Sequence, residues 1–152
     1  LIHQLKYKGK KEIGEFLGKQ MGYELKNHPD FSVCDYITTV PLHISKEKKR
    51  GYNQSNAIAS GISEITGIPL NNNVLARKKD QMSQTKQSRY ARWDHAKKLY
   101  FSNHPELIKG KKILLIDDVI TTGATLEACA ECLLGHEAES VCIATLAYTS
   151  VK

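Results

Sequence analysis

The stretch Ile113-Leu114-Leu115-Ile116-Asp117-Asp118-Val119-Ile120-Thr121-Thr122-Gly123-Ala124-Thr125 decides the fold of this chain. Four branched apolar residues in a row, Ile113 to Ile116, are too few for a helix and suit a strand buried on both faces of a sheet. Two acids follow, at the carboxyl end of that strand, where open α/β sheets bind their ligands. Beyond Thr125 the residues Leu126, Cys129, Ala130, Leu133 and Leu134 recur at helical spacing. The pattern is strand, hydroxyl-rich turn, helix.

A turn of this kind has the parts of an anion cradle. The first N–H groups of a helix lack intrahelical acceptors and lie at the positive end of the helix dipole. Thr121, Thr122 and Thr125 add hydroxyl donors, and Gly123 permits close backbone approach. Asp117 and Asp118 repel a phosphate but match sugar hydroxyls, or a magnesium ion held partly through water. Together these groups describe a phosphorylated-sugar site. A plainer reading also stands: acids ending a strand and a threonine capping a helix need no ligand.

The motif residues resemble a known family. Ile113 to Thr125 is similar to the phosphoribosyl pyrophosphate (PRPP) signature of type I phosphoribosyltransferases. Pro41-Leu42-His43, Arg50-Gly51-Tyr52-Asn53-Gln54 and Gln84-Thr85 resemble the competence protein F (ComF) branch, in the same order along nearly the whole chain. The resemblance implies an α/β fold, a mostly parallel central sheet flanked by helices. It implies transfer of a 5-phosphoribosyl group from PRPP to an acceptor base that the sequence does not identify, with Mg2+ as cofactor. Asp117 and Asp118 would be the catalytic acids and would hold the metal indirectly. Thr121, Thr122, Gly123, Ala124 and Thr125 would take the 5-phosphate, and Pro41, Leu42, His43 and Arg50 the pyrophosphate. Gln84, Thr85 and Arg92 would belong to a lid, although Gln87 and Asp94 depart from the family pattern. Related enzymes are often dimers, which admits a homodimer. ComF proteins are linked to DNA uptake, so single-stranded DNA and competence proteins are partners to consider. A PRPP-binding or DNA-binding module without turnover is the alternative.

Length and composition agree with one domain over residues 1–152. The 152 residues are 41% hydrophobic and 25% charged, with a net charge of +6 that draws anions, polyphosphate and nucleic acid alike. No run is long enough to span a bilayer and no signal peptide is visible, so a cytoplasmic location without membrane insertion is expected. ComF proteins often carry a cysteine-rich zinc-binding segment before this domain. Since the chain opens on Leu1 without it, the resemblance makes the sequence a fragment. Cys129 and Cys132 form a C-x-x-C inside the helix after the turn, with no second pair at zinc spacing; they read as small packed residues.

The remaining elements follow in order. Ile2, Leu5, Ile13, Phe16, Leu17 and Met21 predict an opening helix or helix pair on the sheet. Asn27 to Asp30 predicts a turn and Tyr36 to Val40 a strand, ending at Pro41. Asn53 or Ser55 caps a predicted helix through Ala57, Ile58, Ile62 and Ile65, stopped by Gly67 and Pro69. Val74 to Ala76 and Lys98 to Phe101 read as short strands. Between them Arg77 to Lys98 holds eight lysines and arginines and little apolar periodicity, as in a loop or a two-stranded excursion. There Tyr90 and Trp93, beside Arg89 and Arg92, would pack a lid or stack a base. Gly135 is the expected C-cap of the central helix, before a last strand from Val141 to Ala147.

Overall fold

A computed structural model describes residues 11–42, 51–78 and 99–149. Its core is a parallel three-stranded sheet in the order β1-β4-β5, formed by β1 (Tyr36–Thr39), β4 (Lys112–Ile120) and β5 (Ser140–Tyr148). Leu70 adds a parallel bridge to Ile37 on the other side of β1. Ile113 to Ile116 are each 0% exposed, as an uninterrupted apolar run in a sheet covered on both faces must be. The strand does not stop at the acids: Asp117 pairs with Thr145 and Ile120 with Tyr148, which puts both aspartates in its carboxyl-terminal half.

Two layers cover the sheet. On one face lie α1 (Lys11–Lys26) and α3 (Gln54–Thr66), packing Leu25, Ile58, Ala59 and Ile62 onto Ile37, Leu114 and Ile116. On the other lies α4 (Ala124–Gly135), where Leu126, Cys129 and Leu133 meet Ile113 and Leu115. The predicted α/β sandwich with a mostly parallel sheet is thereby borne out. A one-turn helix, α2 (Pro29–Ser32), replaces the expected turn, with the His28 side chain accepting from the Asp30 N–H at 3.3 Å.

Several details differ from the sequence reading. The apolar residues of α1 form only part of its buried face: Ile13 and Met21 are half-buried against the core, Phe16 is 61% exposed, and the fully buried positions are Gly14, Gly18, Gly22 and Leu25. These glycines form a flat stripe along which α3 approaches. A Cβ on Gly18 would strike the Ile58 carbonyl oxygen, and one on Gly61 the Glu15 carbonyl oxygen. In α4 the buried stripe holds Ala128 rather than Leu134, which is exposed, and the helix takes in Gly135 and ends on His136. Ala76–Arg77 (β2) and Tyr100–Phe101 (β3) form an antiparallel pair of their own outside the main sheet. The expected strand at Val74 therefore starts later; Val74 and Leu75 are core residues leading into it.

One polar group in the sheet is left without compensation. The Thr38 hydroxyl is buried with no hydrogen-bond partner, a cost of about 1–3 kcal/mol. Thr38→Val removes it at nearly constant shape, and a melting curve should shift upward by about 2–4 °C if roughly 1 kcal/mol is recovered. Gly61→Ala should do the opposite, since the backbone of α1 must move; a loss of about 1–3 kcal/mol, read by urea denaturation, is expected.

Candidate functional site

The site is built where β1 and β4 end and α3 and α4 begin. At the first junction Asn53 serves two elements. Its Oδ1 accepts the Ser55 N–H at 3.1 Å, capping α3, and its Nδ2 donates to the Val40 carbonyl at 3.1 Å. Val40 N–H in turn donates to the Ile116 carbonyl at 3.0 Å. The end of β1, just before Pro41 and Leu42, is thus pinned to both β4 and α3. Thr39 extends the polar cluster by donating to Asn56 Oδ1 at 2.6 Å, with Asn72 a further neighbour at 3.1 Å.

Beside this junction stands Asp117. Its Oδ1 accepts from Ser55 Oγ at 3.1 Å and from the Asp118 N–H at 2.9 Å. Ser55 is 3% exposed, so the hydroxyl end of this part-buried contact is fixed in the core and orients the carboxylate. The sequence presents Ser55 only as a possible helix cap. Its reach to a residue 62 positions away has no local signature.

At the second junction the turn after β4 leads into α4. Gly123 is the N-cap, in the left-handed region at φ 80°, and as a glycine brings no capping side chain of its own. The plainer reading of a threonine cap is met in part: Thr122 Oγ1, one residue earlier, accepts from the Ala124 N–H at 3.5 Å, at the long limit of a hydrogen bond. A cleft of about 240 Å³, open to solvent, is lined by Asp117, Val119, Ile120, Thr121, Thr122, Gly123 and Thr125, with Leu126 below. Thr121, Thr122 and Thr125 are exposed there. Of the expected phosphate residues, only Ala124 is outside the lining.

The structure thus brings together Asp117, Thr121, Thr122, Gly123 and Thr125, with Asp118 next in the strand. Pro41 and Leu42 follow the pinned end of β1. His43, Arg50, Gln84, Thr85 and Arg92 lie outside the described residues, as do Tyr90 and Trp93. Cys129 is buried and Cys132 half-buried in α4, with both thiols pushed above their ordinary range by burial. That is the packed-residue reading of the C-x-x-C. Among the described residues no group of three or more His, Cys, Asp or Glu side chains converges as a metal site, and no helix is long and apolar enough to cross a membrane.

A parallel sheet whose central strand carries acids before a threonine-rich helix start is the arrangement that the resemblance to phosphoribosyltransferases implies. Residues 32–152 match the phosphoribosyl transferase domain, and the chain belongs to that family. Its relatives bear out the expected kinship with the ComF branch. The DNA utilization protein YhgH of Salmonella typhimurium is 27% identical over 93% of this chain and 63% of its own length. Competence protein ComFC of Bacillus subtilis is 30% identical over 88% of this chain and 52% of its own. The chain therefore spans less than two thirds of these curated relatives. A glutamine PRPP amidotransferase from B. subtilis, complexed with ADP and GMP, superposes with a TM-score of 0.60 at 22% identity, over 87% of this chain and 25% of that one. That likeness supports the fold.

Asn53→Ala should unpin both elements at once. Loss of the cap and of the bond to Val40 is expected to cost about 1–3 kcal/mol, measured by thermal or urea unfolding.

Proposed function

We propose that this domain binds PRPP with Mg2+ and transfers its 5-phosphoribosyl group to an acceptor base. The observation that carries this reading is the first turn of α4, held by no side chain at Gly123 and only by the 3.5 Å contact of Thr122 with the Ala124 N–H, opening into the cleft that Asp117 shares. The N–H groups of Ala124, Thr125 and Leu126 have no acceptor within the helix. With the hydroxyls of Thr121, Thr122 and Thr125 they offer a phosphate monoester a ring of donors at the positive end of the helix dipole. Val119 and Ile120 wall the space between this cradle and the acids.

Asp117 and Asp118 would hold the ribose hydroxyls. Their charge would favour the cationic, oxocarbenium-like ribose that develops as pyrophosphate departs. In that step the acceptor nitrogen forms a bond to C1 of the ribose and the C1–oxygen bond to pyrophosphate breaks, the electron pair leaving with pyrophosphate. Their oxygen donors also suit Mg2+, which when bound would neutralise the leaving pyrophosphate. The Ser55 contact keeps Asp117 oriented for either task. Pro41 and Leu42 lead into the segment through His43 to Arg50 that would take the pyrophosphate, and a guanidinium matches such a group bidentately. The segment with Gln84, Thr85 and Arg92 would close over the site and keep water out.

The names of the relatives and the net charge of +6 favour a role for this chemistry in DNA uptake or utilisation, with single-stranded DNA as a direct partner the second reading.

Calorimetric titration of PRPP with Mg2+ into the intact protein and into the Asp117→Asn/Asp118→Asn variant tests the reading. Micromolar affinity that falls at least tenfold in the variant is the expected result, followed by pyrophosphate release with the right base. Heat that is the same in both proteins would remove the acids from the site. No heat in either would leave steeply salt-dependent binding of single-stranded DNA as the activity to measure.

A further inference from the structure

A second and larger cleft lies on the far side of α3 from the acids. Asn53, Asn56, Ala57 and Ser60 recur at helical spacing and share one face of α3, turned away from Ser55 and from Ile58 and Ile62, which meet the sheet. With Lys11 at the start of α1, Tyr52 and Leu70, they line a space of about 700 Å³ that is open to solvent. It shares no lining residue with the cradle. Among the described residues no carboxylate lines it, whereas Asp117 lines the cradle. Lys11 is exposed and paired at 3.1 Å with Glu15, one turn further along α1.

The two amides of this cleft have their roles assigned by the fold. Asn53 spends both ends of its side chain on Ser55 and Val40. Asn56 Oδ1 accepts from Thr39 Oγ1 at 2.6 Å, and Thr39 is 4% exposed, so the acceptor end of this amide is anchored in the core. What Asn56 offers the cleft is its Nδ2 group, two donors in a fixed place. Ser60, one turn on, adds a hydroxyl, and Tyr52, Ala57 and Leu70 supply an aromatic and aliphatic wall. Donors beside an apolar wall, with an ammonium at one end, suit a planar heterocycle that bears carbonyl oxygens and carries an anionic tail. An asparagine with both ends available pairs with adenine, donating to N7 and accepting from the amino group. With Oδ1 turned to Thr39 that pairing is closed to Asn56, while an exocyclic carbonyl still finds a donor.

We propose that this cleft is a second ligand site, for a nucleotide whose base carries an exocyclic carbonyl, with Asn56 as the residue that selects the base. Lys11 and Ser60 would meet the phosphate: Ser60 precedes Gly61, where α1 crosses, so both stand at the α1 end of the cleft. The nucleotide is either free in solution or one unit of a single strand, since the same groups recognise both. The proposal goes beyond the phosphate reading of α4 and does not depend on it.

Amide NMR on the intact protein tests it, with uridine 5′-monophosphate and adenosine 5′-monophosphate as probes. The uridine nucleotide should give saturable shifts in the Tyr52 and Ser60 N–H groups and in the Asn56 side-chain amide, binding about three- to tenfold more tightly than the adenosine nucleotide. Asn56→Asp keeps an acceptor for Thr39 but removes both donors, and should weaken the uridine nucleotide by about tenfold at the same backbone reporters. Thr39→Val releases Asn56 Oδ1 and should bring the two nucleotides to within about twofold of each other, a change that a merely structural threonine would not produce. A thymidine oligonucleotide that shifts the same residues and binds more tightly than the mononucleotide makes the strand the ligand. Weaker binding makes it the free nucleotide, and either result supports the site. Shifts confined to residues 121–126 would put the nucleotide in the cradle alone, overturning this proposal and leaving the phosphate reading intact. Equal affinity for the two nucleotides in the parent, an unaffected Asn56→Asp, or no shift at the cleft would each overturn it as well.

Discussion

The hydrogen bond from Ser55 Oγ to Asp117 Oδ1, 3.1 Å long, joins the two halves of the site. On one side is α3, whose start is fixed by Asn53 and through it by the end of β1. On the other is β4, whose last residues turn into the cradle. A carboxylate at the end of a strand is ordinarily free to rotate into water, and a loop after a strand is ordinarily free to drift. Here each restrains the other. Because Ser55 is almost fully buried, its hydroxyl is a fixed donor to a part-buried carboxylate, and the geometry of the bond counts for more than its modest net energy.

That restraint needs α3 close to the sheet and steady, which the glycines of α1 provide. With Gly18 and Gly61 at the crossing, the backbones of α1 and α3 come together at a distance no side chain allows. The close crossing in turn presses Ile58 and Ile62 onto Leu114 and Ile116. A chain of contacts thus runs from an outer helix, through α3, to the acid at the heart of the site. On the other face Tyr100 packs with Leu126, Cys129 and Leu133 of α4 in a second core cluster.

Much of this could be read from the chain before any coordinates. The run Ile113 to Ile116 could only be a buried strand, and the acids, threonines and glycine after it have few uses in that order; both elements stand where expected. The helix after Asn53, with its left-handed stop at Gly67, was equally legible from its cap and its periodicity. Hydropathy found only part of the buried face of α1: Ile13 and Met21 pack on the core, but the glycines between them, fully buried, carry no hydrophobic signal. It failed in α4, where Leu134 faces solvent and a small alanine packs. Ser55 and Thr39 escaped for another reason: each bonds to a partner well separated along the chain, and no local pattern encodes such a pairing. Family resemblance supplied the motif positions but not these supporting residues.

The function proposed for the domain requires the start of α4 to be an anion cradle and more than a helix end. Backbone amide NMR during titration with ribose 5-phosphate tests it directly. The account predicts saturable shifts concentrated in Thr121 to Leu126, with the N–H groups of Ala124 and Thr125 moving furthest downfield, and little change along the far end of the helix near Leu133. Shifts that scatter over the lysine-rich surface, or none in the turn at ligand saturation of any other site, would contradict it.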